Sequence, residues 1–278
     1  MKRFPWILSL IAVAALAFSC AEPNDVSVGF ALTDAPIDES HVTAVNVTVS
    51  EVAVNESADA SLADGDGSWK KVTIDPPVTI NLLDLQGGLY EDLGDPIVLA
   101  GGTQINQIRL GVDAVQVMEG DVAAVTTMPS ATGLKIVNAF RVPLSGAITV
   151  TVDFDVRKSV VLTGSTYVVK PVLRAVVDNE AGQLTGTVPA GVVTVYAYEN
   201  NTYVDTEATT ANADDLYFTG AYTSATVKAD ATYVLAFMDA GAYDLYGVDS
   251  TGAVIAELQG AVVTEGDVTD HADLTAIP

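Results

Sequence analysis

From residue 26 onward the chain alternates. Val26, Val28, Phe30 and Leu32 fall on one side of an extended backbone, and Val45, Val47 and Val49 repeat the pattern. Side chains two apart share a face, so this period marks strands with one face toward a core and one toward water. Ile105, Ile108, Leu110 and Val112 continue it after a local irregularity, and "VAAVTTM", "LKIVNAFRV" and "YVVKPVLRAVV" add further strands. Turn-forming clusters separate them: "DAPIDES", "ADGDGS", "QGGL", "EGD", "LSG" and "LTGS". Only residues 80 to 93, "INLLDLQGGLYEDL", suit a helical turn or two. The apolar positions are filled by Val and Ala among threonines more than by Leu, which is strand composition. The pattern predicts an all-β protein built from β-sandwiches.

Composition shifts near residues 176 to 186, "VVDNEAGQLTG". Of twelve basic residues only Lys228 follows this seam, whereas eight of the ten tyrosines do. Beyond it, about seven short strands ("LTGTV", "VVTVYAY", "DLYFTG", "TYVLAFM", "AYDLYGV", "VIAELQGAVV", "DHADLTAI") suit a second small sandwich, immunoglobulin-like or transthyretin-like. The expected organisation is one sandwich over residues 26–178 and another over 182–278.

The N-terminus carries a different pattern. Lys2 and Arg3 precede an apolar run from Phe4 to Phe18, then "FSCAEPND". A basic start, a short apolar stretch and a small residue before the cut describe a secretory signal over residues 1–19. The only cysteine, Cys20, ends that run, so no internal disulfide is possible. Its position resembles a bacterial lipobox. Ser19 fits, whereas Ala17 and Phe18 replace the usual leucine and small residue. The alternative is an ordinary cleaved signal with an incidental cysteine. Lipidation of Cys20 implies a membrane anchor, a brief tether over residues 20–25 and residence in the cell envelope, on the outer membrane or cell surface.

Twelve Lys and Arg stand against 36 Asp and Glu, a formal charge of −24. Such a charge repels phosphates and argues against nucleic acid as a partner. Against this background, the stretch from Arg109 to Arg174 is unusual, because its basic residues outnumber its acids.

The first segment resembles a bacterial and archaeal family, domain of unknown function 4382. "GFALTDAP" (29–36), "VTAVNVTVSEVAV" (42–54), Trp69 followed by "INLLDLQ" (80–86), "AGGTQINQIRLGVD" (100–113), "PSATGLKIV" (129–137), "VDFDVRKSVV" (152–161) and "YVVKPVLRAV" (167–176) carry the resemblance. It implies an extracytoplasmic β domain and no established activity. The second segment resembles carboxypeptidase-regulatory or prealbumin-like sandwiches through "FMDAGAYDLYGVDSTG" (237–252), with "DDLYFTG" a loose version of their Asp-x-x-Gly-x-Phe turn. That resemblance implies a rigid spacer or adhesion unit.

Candidate chemistry concentrates on "TVTVDFDVRKSV", residues 149 to 160. Alternation puts Val150, Val152, Phe154 and Val156 on one face, and Thr151, Asp153, Asp155 and Arg157 on the other. With Arg109, Asp113 and Arg174, these form a candidate recognition face in which arginines fork onto carboxylate, sulfate or sugar hydroxyls. The competing reading is a cross-strand ion-pair ladder, each pair contributing a few tenths to about 1 kcal/mol. Tyr196 and Tyr198 point the same way in "VVTVYAYEN". Exposed, they would stack on sugar or anchor a protein; otherwise they pack inward or cover a contact between domains. Asp64 and Asp66 in "ADGDGS" have the alternate spacing of a calcium loop, although Trp69 replaces the required glycine, and a hairpin turn explains them equally. Asp214, Asp215, Asp267, Asp270 and Asp273 mark other acidic loops. His41 and His271 have no His or Cys at ligand spacing, so zinc is not expected. No Gly-x-Ser-x-Gly elbow, phosphate loop or dinucleotide fingerprint occurs. A glycosidase needs only two carboxylates, and nothing here marks a pair. The sequence therefore predicts a surface-anchored, non-catalytic protein for binding or adhesion, its ligand a glycan or an envelope protein. The alternatives are a structural spacer without a ligand, or a carbohydrate-active enzyme. Oligomeric state is not legible.

Overall fold

The computed structural model describes residues 24–35, 41–59, 61, 63, 66–127, 134–137, 140–212 and 216–277. Cys20, Asp64, Asp214 and Asp215 lie outside these. The protein is all-β. Among the described residues, sixteen strands of three residues or more make up two layered bodies, together with shorter two-residue pairings.

In the first body, β1 (Asp25–Ala35), β2 (Val42–Asn55), β3 (Lys70–Asn81), β4 (Ile97–Ala100), β5 (Gln107–Glu119), β6 (Leu134–Ile136), β7 (Ala147–Asp155), β8 (Val160–Thr163), β9 (Thr166–Val169) and β10 (Leu173–Val177) follow in order. One sheet runs β10-β7-β1, with β4 and residues Glu91–Asp92 along the far edge of β1. The other runs β6-β5-β2-β3. Most pairings are antiparallel; β1 and β7 are parallel, with Ser27 opposite Ala147 through to Ala35 opposite Asp155. The alternating valines of both sheets meet in one core that includes Val28, Phe30, Leu32, Val47, Leu110, Val152 and Phe154. Apolar burial of this extent is the main favourable term holding the sheets face to face.

In the second body, β11 (Gly182–Thr187), β12 (Thr194–Glu199), β13 (Thr223–Thr226), β14 (Thr232–Met238), β15 (Gly241–Val248) and β16 (Val254–Val263) form two sheets. A small one joins β14, β11 and residues Val268–Thr269; a larger one runs β13-β12-β15-β16. Its core gathers Leu184, Val195, Ala197, Tyr233, Leu235, Tyr243 and Leu245. Gly186 is required by the packing of this body. A Cβ there would stand 2.3 Å from the Ala272 carbonyl oxygen, so the segment before the C-terminus crosses β11 only over a bare backbone.

Among the described residues, helical turns appear at three places. Leu82–Asp84 forms one, capped by Asn81 Oδ1 accepting from the Leu83 N–H, within the segment whose pattern suggested it. Val156–Ser159 and Asp205–Ala208 are two more. The turn at Val156–Ser159 corrects the sequence expectation that the strand runs over residues 149–158. Asp155 ends the strand and caps the turn, its Oδ1 accepting from the Lys158 N–H at 3.0 Å.

Among the described residues, no helix is long and apolar enough to cross a membrane.

A basic clasp between the two bodies

The proposed face on β7 exists as a face. Val150, Val152 and Phe154 enter the core, and Thr151, Asp153 and Asp155 point away from it. It is not open to solvent. Asp153 is 5 % exposed, Asp155 7 % and Arg157 3 %. The second body covers them, and the basic residues are its points of attachment.

Arg174 stands opposite Asp153 on β10. Its Nη2 donates to Asp153 Oδ2 at 2.5 Å and its Nη1 to the Phe237 carbonyl of the second body at 2.9 Å. The guanidinium also lies 4.1 Å over the Tyr222 ring. Burial works against its charge, yet Asp153 and Tyr222 together outweigh that and hold its pKa above the ordinary arginine value. Arg157, carried on the helical turn, donates to the Tyr217 carbonyl at 2.9 Å and sits 5.1 Å from the Tyr196 ring centre. Lys158 donates to the Ala221 carbonyl and pairs with Asp155 Oδ2 at 3.3 Å. Burial lowers its pKa, and the Asp155 charge opposes that shift.

Three cations of the first body thus cap three backbone carbonyls of the second. The contact extends to Tyr90 against Phe237, edge to face at 6.2 Å. Between the bodies, Thr33, Asp34 and Asp153 face Thr223, Ser224 and Phe237 across a cavity of about 20 Å³, the size of one water molecule.

Arg109 and Asp113 stand elsewhere, on the outer face of the β6-β5-β2-β3 sheet. Arg109 is 6 % exposed, its guanidinium 4.1 Å over the Trp69 ring. Asp113 is exposed and accepts from Ser50 Oγ at 2.6 Å. The candidate recognition residues therefore divide between two locations, and most are engaged within the chain.

Tyr196 and Tyr198 point away from the second core, as alternation requires, but they are buried. The described residues of the excursion after β12, 200–212 and 216–222, fold back over them. Phe218 stacks on Tyr196 at 4.3 Å between ring centres, Tyr203 meets Tyr198 at 5.0 Å, and Tyr246 completes a small aromatic core. Tyr198 donates to Glu207 Oε2 at 2.8 Å, and the same oxygen accepts from the Gly220 N–H. Burial, then this hydrogen bond and the Glu207 charge, push the Tyr198 pKa well above that of a free phenol.

Of the candidate calcium pair, Asp66 is spent on a local turn, accepting from the backbone N–H and hydroxyl of Ser68 at 2.9 and 2.5 Å. Those bonds hold its pKa below the ordinary carboxylate value. Among the described residues, no group of three or more His, Cys, Asp or Glu is placed to hold a metal ion. Sequence reasoning did not single out Lys158 or the aromatic partners Tyr222 and Phe218. Lys158 had a signal, standing beside Arg157 in the basic stretch; the accepting carbonyls had none.

The family described as Domain of unknown function (DUF4382) matches residues 25–171. No curated protein matches the chain. Solved structures align over most of it at low similarity. The minor pilin GBS52 of Streptococcus agalactiae is 11 % identical, with 91 % of this chain and 97 % of that one covered and a TM-score of 0.23. A double mutant of the shaft pilin SpaA from Lactobacillus rhamnosus GG is 12 % identical, with 91 % and 98 % covered and a TM-score of 0.24. A fimbrial protein from Bacteroides ovatus is 13 % identical, with 89 % and 48 % covered and a TM-score of 0.22. Likenesses this weak carry no argument about function.

Proposed function

The chain belongs to the DUF4382 family, and from that premise we propose that it is a non-catalytic envelope protein, anchored through Cys20, whose first body holds the second at a fixed orientation. The clasp carries this reading. Arg157, which is buried, and Lys158 and Arg174, which are half-buried, belong to the basic stretch of the sequence and donate to carbonyls of the second body. Hydrogen bonds from buried charged groups are among the stronger polar contacts, and they are directional. A joint built from three of them suits a spacer that transmits position. A glycan or envelope-protein ligand, if one is bound, meets surfaces outside the clasp.

The signal-like N-terminus, the lipobox-like placement of Cys20 and the acidic composition support an extracytoplasmic location. Calorimetric unfolding of the whole chain tests the fixed joint. A single cooperative transition is expected, and the double variant Arg157→Ala/Arg174→Ala should split it in two. Two independent transitions in the unaltered protein would reject the rigid joint.

A further inference from the structure

We propose that the corner of the first body where the chain enters the fold is a membrane-facing surface, with Leu144 and the cleft beside it meeting the interfacial layer of a phospholipid bilayer. The proposal rests on the anchor reading of Cys20 and goes beyond it, because it fixes which face of the protein the membrane meets.

The point of entry is well defined. The Asn24 carbonyl accepts from the Gly101 N–H at 2.8 Å, so β1 begins pinned to the loop after β4. The neighbouring Gly102 N–H donates to the Val142 carbonyl at 2.9 Å. Gly101 presses against the next loop so closely that a Cβ on it would stand 2.6 Å from the Leu144 carbonyl oxygen. Asn24 and Leu144 therefore flank the same glycine. Cys20 is four residues upstream, at most about 14 Å of extended chain. An acylated Cys20 would bring this corner to the bilayer.

The chemistry of the corner matches that neighbour. Leu144 is 71 % exposed, the most exposed large apolar side chain among the described residues. It forms one lip of an open cleft of about 480 Å³ whose wall includes Val142, Pro143, Ile148 and Val177. The rim carries one cation, Arg141, and one acid, Glu180. Arg141 donates through Nε to the Gly102 carbonyl at 3.2 Å, which holds it at the edge of the apolar wall, where a phosphate of a headgroup would lie. An apolar projection beside a cleft, with a cation at its border, suits a surface that settles into the boundary between headgroups and acyl chains. At −24 overall, the protein is repelled by strongly anionic surfaces, so the fitting partner is a zwitterionic bilayer.

The clasp lies at the opposite end of the body. Strand β7 starts beside the cleft at Ala147 and ends at Asp155, under the second body. Its nine residues span about 27 Å. The proposed orientation thus directs the joint away from the bilayer.

The test uses acylated full-length protein in phosphatidylcholine vesicles. Cys20 is the only cysteine, and its thiol is consumed by the lipid. A polarity-sensitive fluorophore on Leu144→Cys or, as the control, on Thr206→Cys in the exposed turn of the second body therefore reports one position. Both sites are exposed, so neither exchange touches a core, and circular dichroism of each variant checks the fold. Iodide quenching is expected to fall several-fold at position 144 relative to position 206, with a blue-shifted emission. Equal quenching at the two positions, in protein whose intact mass shows the acyl groups, overturns the membrane-facing surface and leaves the anchor standing. A mature mass without acyl groups overturns the anchor reading, and the proposal with it.

Discussion

Arg174 shows how one residue serves two bodies. Its charge is neutralised by Asp153 at 2.5 Å, its plane rests on Tyr222 and its remaining donors reach Phe237. Removing the cation leaves Asp153 buried in a low-dielectric junction. Arg174→Ala is expected to destabilise the protein by about 3–5 kcal/mol in chemical denaturation, and Arg174→Lys by clearly more than a surface exchange, because an ammonium cannot fork or stack in the same way. The phenols of the second body give a pH signature. Tyr198, Tyr222, Tyr233 and Tyr243 all have raised pKa values, with burial the leading cause in each. The unfolded chain releases these protons near the ordinary phenol value, about 10, while the folded chain retains them. Below that pH the stabilisation is fully present; as pH rises beyond it toward the folded values, stability falls. With the exposed Tyr90 and Tyr217 replaced by Phe, the phenolate absorbance of these four rings should therefore appear together with loss of the β spectrum, and not before it. Phenolate formation at these four rings in a still-folded protein would contradict their buried placement.

At the level of elements, the excursion from Asn200 to Tyr222 determines what the outer face of the larger sheet does. It contributes Tyr203 and Phe218 to an aromatic core separate from the main one, and Glu207 ties Tyr198 to Gly220. Phe218→Ala should cost about 3 kcal/mol or more, and limited proteolysis should then cut within this segment while the sheets stay intact. Gly186→Ala should cost about 1–3 kcal/mol through overpacking against Ala272, measured as a lower denaturation midpoint at unchanged slope. Much at this scale was legible in the sequence. The alternation of Val26, Val28, Phe30 and Leu32 marked β1 because each strand of a sandwich has one buried face. The same logic identified the outward set of β7 and the outward tyrosines of β12. Period alone says that two faces differ; it does not say what lies across from the second. That answer came from the Asn200–Tyr222 stretch, where the strand expected at "DLYFTG" is replaced over residues 216–220 by turns that carry Phe218 inward, and from a second body whose carbonyls carry no sequence signal. The turn at Val156–Ser159 was hidden for a related reason: Val156 keeps the strand period even after Asp155 has ended the strand.

For the whole molecule, the junction makes two cores behave as one object. Removing both arginines of the clasp is expected to leave each sandwich folded while freeing their relative orientation, which small-angle scattering would register as a larger radius of gyration. An unchanged scattering curve would show that the apolar contacts alone hold the joint.

The parallel pairing of β1 with β7 has a consequence in time. Ser27 meets Ala147, so the first strand cannot be locked until a partner about 120 residues later has been synthesised and delivered. A chain emerging N-terminus first would keep Asp25–Ala35 waiting, its ladder incomplete, through most of the synthesis of this body. Refolding experiments should accordingly find the first sandwich slower to acquire protected amides on β1 than the second is on β12 and β15, whose pairings span shorter loops.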